Sequence, residues 1–214
     1  MVLSKSIKRP IIVSILLGGA ILLSAQATAK AVLEKVAGYY NSALPFKIGF
    51  TIRQVIPGRK SHSENNGTFF VDYHERFRVN ITDQEIVYDR NWLWTRDKVN
   101  QQVIVEEFNP RTSLKFIRDI LNGSLSDYRI VKMNKKTARL AVLDLEPKIE
   151  DGYIRSLQLQ IDPTLGVIKS ASYRDFQNEQ ITIVFDNLVG LNAADSSWFD
   201  IDLKENEELI DLRP

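Results

Sequence analysis

The 214-residue chain contains no cysteine and only two histidines. Without cysteine it can form neither disulfides nor thiolate metal sites, and it has no cysteine to act as a nucleophile or a lipid anchor. His62 and His74 both lie in polar stretches typical of loops, and no H-E-x-x-H, G-x-S-x-G, Walker or G-x-G-x-x-G pattern occurs. We therefore predict no catalytic residue, metal site or cofactor, and a binding protein rather than an enzyme.

A surplus of positive charge is also missing. The chain has 28 basic and 27 acidic residues, and three of the basic ones, Lys5, Lys8 and Arg9, lie in an N-terminal segment without any acid. The remainder therefore carries a small negative excess. Because phosphate-backbone binding depends on a basic surplus, nucleic acid is not an expected partner.

The N-terminal segment has the three parts of a secretory signal. A basic region is followed by an uncharged apolar run over residues 11–25 and by two overlapping A-x-A sites that end at Ala27 and Ala29. An uncleaved anchor is the alternative, but the run is shorter than the ~20 residues that a spanning helix needs. We predict a cleavable signal peptide over residues 1–29, cleaved after Ala27 or Ala29, and an exported periplasmic domain over residues 30–214.

Apolar periodicity predicts a strand-rich domain with two short amphipathic helices, over residues 31–43 and 113–121. Turn signals stand at Pro57-Gly58, Asn65-Asn66-Gly67 and residues 162–166, and the acidic stretch 205–211 is predicted to be a solvated end. Period-two alternation of aromatic and β-branched residues predicts strands over 46–53, 68–71, 76–81, 85–88, 92–95, 102–105, 129–131, 139–145, 154–161, 167–176, 180–185 and, last, 198–201.

These elements predict one α+β domain that is mostly β. The expected architecture is a single curved antiparallel sheet that forms an incomplete barrel, with the short helices covering its apolar face. Aromatic residues crowd the first strand group, which is compatible with an ordinary core. The alternative is a dry cavity for an apolar ligand, since two small helices fill a large concave face poorly.

Several phrases resemble the periplasmic outer-membrane lipoprotein carrier (LolA-like) family over residues 31–201. They include 46–54, 67–71, 76–79, 88–94, 143–147, 157–162 and 181–185, in the order the family has them. The resemblance implies a half-barrel that shields the acyl chains of lipid-modified proteins. It further implies a monomer that receives its cargo from an inner-membrane release transporter and delivers it to an outer-membrane lipoprotein receptor.

The resemblance also implies which residues bind and which cover. Phe77 matches an aromatic that lines the family's cavity, and Trp94 matches an aromatic of the next hairpin. The expected cavity residues are Ile48, Phe50, Phe69, Val71, Phe77, Val79, Trp94, Leu143, Leu145, Leu157 and Leu159. The expected lid residues are Val32, Val36, Tyr39, Leu114, Ile117 and Leu121.

One position departs from the family pattern. The family has Arg-Pro shortly before the cavity aromatic, and that arginine hydrogen-bonds to the lid. Here Tyr73 and His74 stand in its place, so Tyr73, Arg76 and Arg78 are the candidates for a latch. An envelope-stress or lipid-sensing binding domain on the same half-barrel is the alternative function, whereas a hydrolase lacks any recognisable nucleophile and base.

Overall fold

A computed structural model describes residues 13–56, 62–74, 76–109, 119, 125, 127–149, 154–192 and 196–214. One helix, one 3₁₀ turn and twelve strands are described. Their bounds are α1 Val13–Ala43, β1 Phe46–Val55, β2 His62–Val71, β3 Phe77–Ile81, β4 Gln84–Tyr88, β5 Leu93–Asp97, β6 Gln102–Glu106, β7 Tyr128–Thr137, β8 Leu140–Pro147, β9 Ile154–Asp162, β10 Val167–Asp175, β11 Gln180–Gly190, the 3₁₀ turn Ser196–Phe199 and β12 Glu208–Asp211.

The strands form a single open sheet in the order β12-β6-β5-β4-β3-β2-β1-β11-β10-β9-β8-β7. Every pairing is antiparallel except that of β12 with β6, which is parallel. Most neighbours are joined by hairpins, and β1 joins the two halves by pairing with β11. The predicted fold class, a mostly β, incomplete barrel made from one curved sheet, is confirmed.

Alternation along the strands separates a core face from an outer face. In β1, Phe46, Ile48 and Phe50 are buried while Lys47 between them is exposed, as expected when successive side chains point to opposite sides of a sheet. The same pattern recurs in β8 and β9. The core face therefore runs continuously across both halves of the sheet, from β5 to β7.

The helix α1 covers this core face. It ends at Ala43, as the following Pro45 predicts, but it begins at Val13, so the predicted helix over 31–43 was too short. Ala29, Val32, Val36 and Tyr40 follow helical spacing and are buried. Within the residues that can be described, no helix has the length and apolarity needed to cross a membrane.

Three local predictions were wrong. Asn65-Asn66-Gly67 lies inside β2 rather than in a turn, because Gly67 pairs with Phe50 and leaves room for its ring. A Cβ at Gly67 would lie 2.4 Å from the Phe50 Cζ. Residues 196–199 form a 3₁₀ turn instead of a strand.

The C-terminal acidic stretch is the third correction, since it is not only a solvated end. Glu208–Asp211 forms β12 along the otherwise open edge of β6, whose free backbone groups can pair with another strand. Apart from Asp119, the predicted helix over 113–121, with Leu114, Ile117 and Leu121, lies outside the described residues, as does the Pro57-Gly58 turn. The turn over 163–166 is confirmed, with Gly166 at φ +75°.

Candidate functional site

The largest apolar feature is a buried cluster between α1 and the core face of the sheet. Ten of the eleven expected cavity residues belong to it, each between 0 and 3% exposed: Ile48, Phe50, Phe69, Val71, Phe77, Val79, Leu143, Leu145, Leu157 and Leu159. They come from both halves of the sheet, and the alternation of side chains along each strand places all ten on the same face. The structure thus brings together residues separated by more than half of the chain.

Phe77 lies at the centre of a group of four aromatic rings. Its ring stacks on Phe69 at a centroid distance of 5.6 Å and lies 5.4 Å from Tyr88. Phe108, which follows β6, packs edge-on against Phe77 at a centroid distance of 5.9 Å. Its ring centroid lies 4.7 Å from that of Tyr88. Phe108 is therefore the fourth member of the aromatic group, and it is contributed by the chain just after β6.

The expected lid residues of α1 pack onto the cluster. Val32 and Val36 are buried in it and Tyr39 is half-buried against it. The Tyr40 hydroxyl accepts a hydrogen bond from the backbone N–H of Ile168 at 3.3 Å. Burial raises the pKa of Tyr40 above its ordinary value, so the ring is neutral and serves as an apolar wall with one polar tether.

Trp94 does not join the cluster. Its neighbour Leu93 faces the core, so Trp94 lies on the outer face, where its indole N–H donates to the Asp89 carboxylate at 2.9 Å. The Arg213 guanidinium lies 5.9 Å from its ring centroid. The structure therefore places Trp94 beside the C terminus rather than in the core.

The latch candidates also lie away from α1. Tyr73 is 65% exposed. Arg76 pairs with Asp72 at 2.7 Å and lies 4.4 Å over the Phe199 ring. Arg78 pairs with Glu85 and donates to the Trp198 carbonyl at 2.9 Å. Both arginines thus contact the segment over residues 196–214, which we call the C-terminal strap.

Beneath this strap lies a buried charge network that sequence reasoning missed. The Arg96 guanidinium is 2.5 Å from the Glu85 carboxylate and 2.8 Å from that of Glu207, and it also donates to the Asp202 carbonyl. Burial opposes ionisation of Glu207, but the Lys204 backbone N–H and Arg96 hold its pKa below the ordinary value. The sequence did contain a signal for this network, namely charged residues within strands: Arg78, Glu85 and Arg96. Charges at such positions indicate that the face they lie on is covered by polar partners.

The remaining features of the described residues are surface hollows. One of about 340 Å³ lies over the outer face of β8–β10 and includes Asp144, Gln158, Ser172 and Arg174. Another, of about 270 Å³, lies beside the strap between Phe70, Arg78, Asn80 and Trp198. Within the described part of the chain, no three His, Asp or Glu side chains are grouped as metal ligands would be.

Tyr128, at the start of β7, packs against the core with Asp119 and Asp127 nearby. Burial, followed by the nearby carboxylates of Asp119 and Asp127, raises the pKa of Tyr128 to about 12. Its hydroxyl is therefore protonated at neutral pH. The arrangement as a whole provides a continuous buried apolar cluster, which suits binding of an apolar group.

Two solved structures support the fold, and a third is reported beside them. An uncharacterised conserved protein from Thermus thermophilus aligns with a TM-score of 0.55 at 12% identity, over 86% of this chain and 98% of that one. A DUF1329 family protein from Desulfovibrio piger aligns at 0.50 and 9% identity, over 80% and 96%. A LolA superfamily protein from Nitrosomonas europaea aligns at 0.44 and 13% identity, over 81% and 97%.

The search of curated proteins found no match to the sequence. The model of the family described as "Outer membrane lipoprotein carrier protein LolA", in contrast, matches residues 43–202. That range includes every described strand except β12, together with the core face and the aromatic group around Phe77. The chain therefore belongs to the LolA family of outer-membrane lipoprotein carrier proteins.

Proposed function

We propose that this protein is a periplasmic chaperone that shields the acyl chains of lipoproteins between α1 and the sheet. The observation that carries the proposal is the continuous apolar core face, on which ten side chains from both halves of the sheet form one buried cluster with side chains of α1. Membership of the LolA family supports the choice of cargo. The function is binding and transfer, with no chemical step.

The physical need for such a cover is large. An exposed sixteen-carbon acyl chain costs about 12 kcal/mol in water, at about 0.8 kcal/mol per methylene. A lipoprotein can cross an aqueous compartment only if another apolar surface takes up this chain. The buried cluster offers that surface, lined by aliphatic and aromatic side chains.

Entry of an acyl chain requires α1 to separate from the sheet. The core-facing side chains Val32 and Val36 are aliphatic, and apolar contacts are non-directional. An acyl chain can therefore take their place on the sheet without leaving polar groups unpaired. The hydrogen bond between Tyr40 and Ile168 is a polar contact that opening must break.

The carrier role includes three further proposals. Residues 1–29 direct export and are removed, the protein acts as a monomer, and it accepts cargo from an inner-membrane release transporter and gives it to an outer-membrane receptor. The apolar N-terminal run and the family membership support these steps. The ten core residues are the proposed cavity lining, with Val32, Val36 and Tyr39 as the lid.

Uptake of a fluorescent apolar probe tests the site. Phe77→Glu should weaken binding of the probe by about 100-fold, because it places a charge on the apolar face. Phe176→Glu is the matched control, since Phe176 is 54% exposed and Phe77 is not exposed at all. Circular dichroism establishes that both variants are folded.

A competition experiment with the unmodified protein avoids any dependence on folding of a variant. A triacylated lipoprotein should displace the probe, whereas the same protein without acyl chains should not. Displacement by both forms, or by neither, would contradict the proposal. Binding of free peptide or lipopolysaccharide without lipoprotein transfer would instead favour the sensing domain.

Depletion of the protein in cells tests the carrier step itself. Outer-membrane lipoproteins should then accumulate at the inner membrane, as fractionation would show. Normal sorting after depletion would remove the transport role, even if acyl chains bind in vitro.

A further inference from the structure

Two hairpin turns lie side by side at one end of the sheet. The Thr164 hydroxyl in the β9–β10 turn donates to the Ala138 carbonyl in the β7–β8 turn at 3.0 Å. α1 passes directly over the first of these turns, where a Cβ on Gly166 would lie 2.5 Å from the Lys35 carbonyl oxygen. We call four exposed side chains the tip patch: Lys135 and Lys136 near the end of β7, Arg139 in the β7–β8 turn and Leu165 in the β9–β10 turn.

The tip patch carries uncompensated positive charge. The sequence has no acidic residue from 128 to 143, and the three cations form no ion pair with any described residue. The acid of the β9–β10 turn, Asp162, is 2% exposed and accepts hydrogen bonds from the Thr164 and Leu165 backbone N–H groups. Its carboxylate is therefore turned inward.

Leu165 gives the patch an apolar point. It is 54% exposed and stands on the turn that Thr164 ties to the basic hairpin. Lysines on an edge strand such as β7 are also a common guard against strand pairing. That role explains neither an exposed leucine on the neighbouring turn nor the arginine beyond the strand. Cations around an exposed aliphatic side chain fit a membrane interface, where headgroups meet acyl chains.

Acidic residues at the opposite edge of the sheet would orient the patch towards an anionic surface. The strap holds six acids and one lysine between residues 200 and 211, and it lies at the β6 edge of the sheet, whereas the patch lies at the β7 edge. An anionic surface would attract one edge and repel the other. The protein as a whole has almost no net charge, so this polarity comes from where the charged residues lie and not from their sum.

We propose that the tip patch docks the protein on anionic phospholipid headgroups at a membrane surface, with Leu165 entering the interface. This docking goes beyond the proposed carriage of acyl chains, because it uses a separate surface and does not involve the core. Each basic residue contributes a small attraction that falls off within a Debye length. Three such residues give weak, reversible docking, which suits a protein that must leave the membrane again.

Vesicle co-sedimentation tests the proposal with protein recovered after export. We expect binding to phosphatidylcholine vesicles that contain phosphatidylglycerol, and not to phosphatidylcholine alone. The variant K135Q/K136Q/R139Q should bind about 100-fold more weakly. The control K47Q/R155Q/R174Q removes the same charge from exposed positions elsewhere on the sheet and should bind like the unmodified protein.

Salt and Leu165 provide two more readouts. Raising the ionic strength from about 0.1 M to about 1 M shortens the Debye length from about 10 Å to about 3 Å and should release the protein. Leu165→Gln should weaken binding at the lower of the two salt concentrations. Equal binding to both kinds of vesicle, or equal loss in the two triple variants, would overturn the proposal.

Two outcomes separate this proposal from its neighbours. Retention on an acidic protein surface without vesicle binding would overturn membrane docking in favour of a protein partner. Uptake of the apolar probe should be unchanged in K135Q/K136Q/R139Q, because none of these residues lies in the core. Failure of probe uptake in the unmodified protein would count against carriage alone, leaving the docking result to be judged by itself.

Discussion

The two halves of the sheet share one core face but differ on the outer face. Over β2–β6 the strap covers the outer face and buries Arg96 and Glu85, which are 7% and 6% exposed. Over β8–β10 the corresponding face is a hollow open to solvent, with Gln158 and Arg174 exposed. Where both faces are covered, charged groups must be satisfied by protein partners. Where one face is open, water satisfies them.

This difference assigns separate tasks to the two halves. In the covered half, the buried charged groups are held in ion pairs, and this half also carries the aromatic group around Phe77. The open half provides the aliphatic part of the core and the contacts of α1 with the β9–β10 turn. The comparison predicts that equivalent substitutions on the outer face should differ in cost between the halves.

The largest effect is expected for Arg96→Met. It leaves the buried Glu85 and Glu207 carboxylates without their shared guanidinium, and removal of one partner from a buried ion pair costs about 3–5 kcal/mol. Urea unfolding would measure the change in the free energy of unfolding. Arg174→Met in the open half should change it by less than about 0.5 kcal/mol, and equal losses would break the comparison.

Phe199→Ala comes next. Phe199 is a strap residue that is 1% exposed, with Arg76 over its ring, so truncation should cost about 3 kcal/mol. Phe176→Ala is the control in the open half, where the ring is 54% exposed. A smaller loss of stability at Phe199 than at Phe176 would show that the strap does not stabilise the covered half.

Acidification should affect the end of the strap locally. The Arg213 side chain, hydrogen-bonded to Asp211, lowers the pKa of Asp211 from 3.8 to about 2. A lowered carboxyl pKa favours the paired state above pH about 4, and this contribution is lost as the pH falls through about 2. Because Arg213 lies 5.7 Å from the Trp92 ring centroid, tryptophan emission should change in that range.

Asp211→Asn is the control for the acid titration. It removes the titrating group and should flatten the part of the emission change that Asp211 causes. An identical titration in this variant would show that another carboxylate is responsible.

The smallest effect is expected at Gln158 in the open half. Its side chain donates to Asp144 at 2.8 Å, but both groups can reach water. Gln158→Ala should therefore change the free energy of unfolding by less than about 0.5 kcal/mol. A loss comparable to that of Arg96→Met would mean that the open face is covered in solution.

Sequence patterns were sufficient where local alternation decides the structure. Phe46, Ile48 and Phe50 in β1, and Leu157 and Leu159 in β9, indicate both the strand and its buried face. The end of α1 before Pro45 is equally local. Such alternation places most of the core face from the sequence alone, and ten of the eleven cavity residues that the resemblance implied lie on that face.

Patterns failed where distant parts of the chain decide. Trp92-Leu93-Trp94 does not reveal which parity faces the core, and a shift by one residue moves every side chain to the other face. The residues of β12 look like a solvated acidic end until the edge of β6 is placed beside them. Arg78 was a latch candidate through the resemblance alone, since its partners Glu85 and Trp198 become its neighbours only through hairpin pairing and the return of the strap.

The central claim, that acyl chains bind on the core face, is tested most directly by photo-crosslinking. Benzoylphenylalanine can replace Phe77 on the core face or Phe176 on the exposed turn, so that the two probes differ only in place. The account predicts crosslinks to a lipoprotein from position 77 alone, and only when the lipoprotein carries its acyl chains. Crosslinks from position 176, or from position 77 to a lipoprotein without acyl chains, would contradict it.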